Sequence, residues 1–498
     1  MKRYLQYLSA VMVFILVILA VHCAVNPVTG KKEIMLVSES MEINMGREID
    51  QGLKMEYGMY DDPGLRDYIT EVGERMVPHT HRPQLQYHFA VLDTPVENAF
   101  AAPGGYIYIT RGLLALMNSE AELATVIGHE LGHVNARHSA RQITRSILFT
   151  LGIVIFSEIS KDFRKIAPLT MIATELLFLK YSRSDEYQAD ELGFQYAMKA
   201  GYNSTEMVTF FSTLDRMTIS EGGARIPNFL STHPMTPKRI EKIKQMIQTE
   251  DLSNPNYLAK LKVDRTDYLN SLNGLIYGDN PRQGFIEGNA FYHPDMRFYL
   301  MIPRGWQVNN TPRQVTMQSK DGKAILLLQA EESPEALDSY SKKMAKNLTE
   351  PKLLSQDYKY INGLDAFHSI FQMTPKEDTA SQDTTQKKEK EKIDVNITCI
   401  RKENMIYSFF TATGENDYRA YSSDIYYVIN SFKPLNNQKY LGRKPLRLYV
   451  RQVNAQQSLE QYLNFLRVPR QLWDKISLMN SMQLSQQVSV GQNIKIIQ

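Results

Sequence analysis

Two histidines four residues apart, with a glutamate directly after the first, stand at His129-Glu130-Leu131-Gly132-His133. On an α-helix, residues i and i+4 share a face, so both imidazoles can reach one ion. Glu130 sits beside that stripe, where it can take a proton from an activated water. Zinc with three protein ligands and one open position hydrolyses peptide bonds in this way. The third ligand must come from elsewhere. One class of zinc site would need glycine at 136 and histidine at 139, where this chain has Ala136 and Ser139. His138 falls roughly 140° off the His129/His133 face at 3.6 residues per turn, and reads as a surface histidine or one standing behind the ligands. A carboxylate from a later helix is the remaining choice. Glu186 and Asp190 lie four apart, so Glu186 could ligate while Asp190 accepts the free N–H of a ligating histidine. With Asp185 and Glu191 beside them, they equally suit an ordinary solvated acidic face.

The elements that must carry these residues follow from pattern. Ser119 and Glu122 form a capping box for a helix expected to run unbroken to Gln142, and Gly128 and Gly132 leave room on it for other backbone or for substrate. A second helix is predicted over 168–200, stopping at Gly201. Upstream, 38–76 reads as helical, and 86–92 and 105–110 read as strands, the latter after the turn Pro103-Gly104-Gly105. The apolar patch 147–156 is too short to span a bilayer. A basic helix is predicted over 236–248. From residue 284 the chain turns β-rich, with strands at 298–302, 324–329, 366–373 and 406–413 and a closing helix at 417–431. The fold class is therefore α+β. It comprises a mainly helical zincin-type domain with a small sheet over 24–275, an antiparallel-sheet α+β domain over 284–435, and a strand–helix–helix–strand unit over 447–498. The charge-dense stretch 375–392 reads as a disordered insertion.

Composition narrows the function further. The 498 residues are 43% hydrophobic, enough for more than one core, and 57 basic against 54 acidic residues give a net charge of +3. No broad basic field for nucleic acid follows. The only cysteines, Cys23 and Cys399, exclude a disulfide framework and CxxC metal sites. Lys2 and Arg3 precede an uncharged apolar run from Leu8 to Val21, so residues 1–23 read as a signal peptide or membrane anchor. Either the run stays as an anchoring helix, or Cys23 is lipidated as a mature N-terminus. Both leave the body outside the cytoplasm, held at a membrane.

Three spaced motifs then carry a resemblance: His129–His133, the run Ser182 to Gly193, and Ser231-Thr232-His233-Pro234 with Arg239. Together with Asn26-Pro27-Val28-Thr29-Gly30 and Asn98 to Gly105, they make residues 23–248 similar to the BepA/LoiP-like periplasmic gluzincin metallopeptidases, a family that also holds HtpX and the CAAX prenyl endopeptidases. The resemblance implies one Zn2+ per chain on His129, His133 and Glu186, with Glu130 as general base. It implies that His233 approaches the metal as a latch or steadies an oxyanion, and that Arg239 lies near the same site. It also implies that the strand containing Gly105, Tyr106, Ile107 and Tyr108 is the edge on which an extended substrate is laid. Unfolded or misfolded envelope proteins are the implied substrates, and the periplasm is the implied location. The second half lacks the tetratricopeptide helices of BepA. It resembles PsbP or Mog-type folds over 284–435 and a LysM module at the end, which makes peptidoglycan a candidate partner. The rival reading is a latent protease acting mainly as a chaperone or scaffold.

Overall fold

The computed structural model describes residues 23–145, 180–220 and 228–498, except 235, 347, 349–350, 374–391 and 415. The apolar run at the N-terminus, the patch 147–156, the start of the helix expected from 168 and nearly all of the insertion 375–392 lie outside the described residues. Among the described residues, no helix is long and apolar enough to cross a membrane. The chain forms two compact units: residues 1–278 together with 446–498, and residues 279–445.

After a short antiparallel pair of strands, Cys23–Val25 and Lys32–Ile34, the first unit forms two helices where one was expected. Helix α1 spans Glu39–Glu56 and α2 spans Pro63–Met76. Gly58 at φ +72° turns the chain between them. Asp62 then caps α2 by accepting from the Leu65 amide, with Pro63 in the first turn, where its missing N–H costs nothing. Three short strands follow: β1 at His88–Leu92, β2 at Ala99–Ala102 and β3 at Tyr106–Thr110. Their order is β1-β3-β2. Strand β3 pairs in parallel with β1, His88 opposite Tyr106, and antiparallel with β2, Ala99 opposite Ile109. The strand of Tyr106, Ile107 and Tyr108 is thus central and not the expected edge, and Gly105 lies in the turn before it. The cause is local. Gly104 and Gly105, at φ +79° and +96°, fold β2 back onto β3 as a hairpin, and β1 takes the other side. Strands β1 and β2 are the two edges, and an isolated bridge from Met59 meets β1 at Leu92.

Helix α3 (Arg111–Leu116) leads into α4 (Glu120–Asn135), the helix of the two histidines. Ser119 caps α4 by accepting from the Glu122 amide, but the Glu122 carboxylate reaches back to the Asn118 amide instead of completing a box with Ser119. The helix stops earlier than Gln142. Ala136 and Arg137 form a turn, with Arg137 at φ +56°, and a new helical stretch begins at His138. Arg137 is held in that turn by Glu42 Oε1 at 3.0 Å and the Val37 carbonyl at 2.8 Å. Helix α5 (Arg183–Lys199) starts well inside the expected 168–200, because residues 180–182 are not helical and Ser182 with Asp185 forms a complete capping box.

Helices α4 and α5 meet backbone to backbone. A Cβ added to Gly193 would lie 2.6 Å from the His129 amide nitrogen, and one on Gly128 would lie 2.8 Å from the Gly193 carbonyl oxygen. One on Gly132 would meet the Ala189 backbone at 3.0 Å. Helices α6 (Glu206–Ser220), α7 (Asn228–Thr232) and α8 (Pro237–Ser253, capped by Thr236) complete the surroundings of the site.

Residues 446–498 have the strand–helix–helix–strand order read from the sequence, as Leu446–Gln452, Leu459–Phe465, Trp473–Met479 and Asn493–Ile497. Their apolar residues share one continuous core with α2, α4 and α5. Lys495 is fully buried and donates to the carbonyls of Ala115 and Met117 at 2.8 and 2.7 Å, satisfying the end of α3.

The second unit is built on a seven-stranded antiparallel sheet. Its order is 307–310, 314–318, 324–332, 405–414, 393–402, 364–373 and 352–361. Helix Tyr418–Asn430 and helix Leu337–Ala345 each cover an apolar cluster of this unit. Two of its histidines, His293 and His368, are pushed down to about 4 by burial.

Two predictions follow from these contacts. Gly193→Ala should destabilise the first unit by about 3 kcal/mol, read as a urea midpoint shift, because the new methyl meets helix backbone that has nowhere to go. In the second unit, the unfolded chain takes up protons on His293 and His368 near pH 6.5, before the folded chain does. Its stability should therefore be full above pH 6.5 and fall towards pH 4, by up to about 3 kcal/mol per histidine. Trp306 fluorescence in a Trp473→Phe background, followed through urea titrations from pH 7 to 4, measures this, and His368→Gln should flatten the slope.

Candidate metal centre

Four buried side chains from three elements converge on one point: His129 and His133 of α4, Glu186 in the first turn of α5, and His233 just after α7. His133 Nε2 lies 3.1 Å from His129 Nε2, which is 3.2 Å from His233 Nδ1. Glu186 Oε1 lies 3.1 Å from His233 Nδ1 and 3.6 Å from His133 Nε2, and Glu186 Oε2 lies 3.6 Å from His129 Nε2. Zinc–ligand bonds of about 2.05 Å in a tetrahedron put neighbouring ligand atoms about 3.3 Å apart, so this donor set fits such an ion. The chemistry agrees: imidazole nitrogens and a carboxylate buried together suit a cation between them. Glu130 gives a second sign. Its carboxylate is fully buried and neither oxygen makes a full hydrogen bond; its polar neighbours are His233 Nε2, 3.6 Å from Oε1, and the backbone of Ala101 in β2.

Around this group the charges are closely arranged. Asp190 Oδ1 lies 3.0 Å from His129 Nδ1. Arg239 of α8 holds both oxygens of Asp190 at 2.7 Å, reaches Glu186 Oε2 at 2.8 Å, and donates to the carbonyls of His233 and Pro234. Burial alone would raise Asp190, but Arg239 and His129 hold it down to about 2. Glu186 is likewise drawn below its usual range against burial, by His233, Arg239 and His129. Burial pushes Glu130 up and His133 well down. His233 is raised: burial opposes its charge, but Glu186 and Glu130 outweigh burial.

The structure brings together every chemistry-bearing residue singled out from the sequence except the Tyr106 strand, whose place as an edge falls to Ala99–Ala102. Sequence reasoning missed two aromatic side chains, and left His138 open between the surface and a place behind the ligands. Tyr181 stacks on the His133 ring with centroids 3.9 Å apart, and Phe229 lies 4.8 Å from the His233 ring. His138, far off the helical face by simple periodicity, is buried with Nδ1 2.9 Å from His133 Nδ1. No spacing rule signals an aromatic roof, and the off-face angle held only for an unbroken helix.

Two helices thus offer two histidines and a glutamate around one point, with a second glutamate beside it, a donor set of the kind zinc peptidases use. The chain matches Peptidase family M48 over residues 64–247. It is 31% identical over 211 residues to the mitochondrial metalloendopeptidase OMA1 of Arabidopsis thaliana, covering 42% of each chain. It is 29% identical over 212 residues to the beta-barrel assembly-enhancing protease of Escherichia coli (strain K12), covering 41% of this chain and 43% of that one. The chain thus spans about two-fifths of the length of these relatives. Among solved structures, cyanobacterial PsbP from Synechocystis aligns with 29% of this chain and 91% of its own at 10% identity and a TM-score of 0.23. The Saccharomyces cerevisiae Ran-binding protein Mog1p does so over 30% and 97% at 7% identity and 0.22. Neither score decides a fold.

Removing Arg239 should be costly. Arg239→Met leaves two buried carboxylates without their cation, and should lower stability in the presence of a chelator by about 3–5 kcal/mol, measured by thermal denaturation.

Proposed function

We propose that the whole chain is a zinc-dependent metalloendopeptidase of the bacterial cell envelope, acting on unfolded or misassembled envelope proteins. The observation that carries the chemistry is the convergence of His129, His133, Glu186 and His233 on one point, with the buried carboxylate of Glu130 beside it. In this reading His129, His133 and Glu186 hold the ion. When bound, zinc supplies a Lewis acid that polarises the scissile carbonyl and lowers the pKa of a water to around 7. Glu130, buried and raised, takes the proton from that water and passes it to the leaving amine. Asp190, fixed by Arg239, accepts the Nδ1 proton of His129 and so keeps its Nε2 bare. An extended substrate adds to the single-partnered strand Ala99–Ala102, next to Glu130, by main-chain hydrogen bonds, which gives loose sequence preference.

His233 is the latch in this reading. Its Nδ1 stands where a fourth ligand would, and His129, Glu130, His133, Glu186 and His233 are each no more than 1% exposed. That closure supports a resting state in which His233 must swing out before substrate enters. It also supports the second reading, a protease kept latent while the chain acts as a chaperone. Envelope location rests on the apolar run from Leu8 to Val21, with Cys23 or that run as the anchor. Peptidoglycan contact through 446–498 rests on element order alone.

Casein digestion compared between wild type and Glu130→Gln tests the enzyme: a fall of at least a thousandfold is expected, and equal activity would sink it. His233→Ala should keep one zinc per chain and raise activity. Complete loss of zinc would make His233 a permanent ligand instead of a latch.

A further inference from the structure

Each metal-facing imidazole needs its second nitrogen occupied, or the ring is free to rotate and to carry its proton on the wrong side. For His129 that partner is Asp190. For His133 no carboxylate serves; the atom facing its Nδ1, at 2.9 Å, is Nδ1 of His138. Two ring nitrogens at that distance must share one proton between them. The far side of His138 decides which nitrogen carries it. His138 Nε2 lies 3.0 Å from Gln188 Oε1, one turn along α5 from Asp185. Asp185 Oδ1 is farther from Nε2, at 3.6 Å, and is already taken by Arg141 at 3.0 Å. With Gln188 Oε1 accepting, the His138 proton sits on Nε2 and its Nδ1 is a bare acceptor. His133 then carries its proton on Nδ1, and its Nε2 is a lone pair aimed at the donor cluster. The same order on His129 sets two bare Nε2 atoms 3.1 Å apart, an arrangement that only a cation between them stabilises.

We propose that His138 and Gln188 form a neutral relay that positions the metal ligand His133, doing for it without charge what Asp190 does for His129. This deepens the metallopeptidase reading and rests on it. The fold supplies the means. Were α4 continuous, His138 would point away; the turn at Ala136–Arg137, pinned by Glu42 and the Val37 carbonyl, swings it behind His133. Tyr181 fixes the plane of the His133 ring from one side, and His138 fixes its rotation in that plane. A carboxylate at this second place would add a buried negative charge near Glu130, Glu186, Asp185 and Asp190, and an imidazole–amide pair avoids that cost.

The test is zinc affinity of the full chain in a Glu130→Gln background, read by competition with a chelating dye, so that turnover plays no part. His138→Phe removes the acceptor at similar volume and should weaken zinc binding about 10–100-fold. Gln188→Met lets the His138 proton move to Nδ1 against His133 and should weaken it about 3–10-fold. His138→Asn restores an acceptor near the Nδ1 position and should return affinity to within about threefold of the parent. Gln188 is only half-buried, so Gln188→Met decides the matter should His138→Phe fail to fold. The urea midpoint of the chelated Gln188→Met protein should stay within error of the parent, which a merely structural role would not predict. Zinc affinity unchanged in His138→Phe and Gln188→Met would overturn the relay while leaving the metallopeptidase reading intact. A Glu130→Gln parent that takes up no zinc would overturn both.

Discussion

The near-contact of two helix backbones governs the rest of this structure. Helices α4 and α5 pack where Gly128, Gly132, Gly193 and Ala189 leave no room for larger side chains. Only at that separation can Glu186, in the first turn of one helix, come within 3.6 Å of imidazoles on the other. A wider spacing, as ordinary side chains would impose, would put the carboxylate out of reach of an ion held by His129 and His133. The glycines cost helix propensity, by about 1 kcal/mol each relative to alanine. What they secure is the shared position of three donors on two segments more than fifty residues apart in sequence.

That geometry crowds charge into a space without water, and the surrounding fold is arranged to tolerate it. Arg239 grips Asp190 with two nitrogens and touches Glu186 with a third, so the carboxylates nearest the donors face a buried guanidinium. Glu130 has no such partner. It is raised by burial and next to β2, which suits a group that must gain and lose a proton beside an extended peptide. His233 closes the remaining side. One constellation therefore gathers a donor set for a metal, a buried carboxylate beside it and a histidine that closes the group off.

The first unit is also not finished where the segment matching Peptidase family M48 ends at residue 247. Residues 446–498 fold back into the same core, and Lys495 caps the carbonyls at the end of α3, just before the histidine helix begins. The chain enters the second unit at 279 and returns at 446. Whatever else the last fifty residues contact, they are part of the body that carries the metal centre.

Local spacing made His129, Glu130 and His133 legible, because a four-residue interval on a helix is decided within one turn of backbone. The capping residue Ser119 was legible for the same reason: a short polar side chain satisfies an amide three residues away; the cap at Ser182 was not, because the helix was expected from 168. Glu186 and Asp190 could be paired with each other but not assigned to the metal, since a solvated acidic helix face has the same spacing. The glycines announced close approach without saying to what. Long-range pairing was beyond reach. That β3 is central and β2 an edge depends on β1 arriving from another part of the chain. His138 belongs to the site only because Glu42 and Val37, almost a hundred residues earlier, hold Arg137 in a left-handed turn. The sequence by itself determined which side chains could do zinc chemistry; tertiary structure decided which of them meet, because convergence is a property of packing between segments and periodicity describes only one.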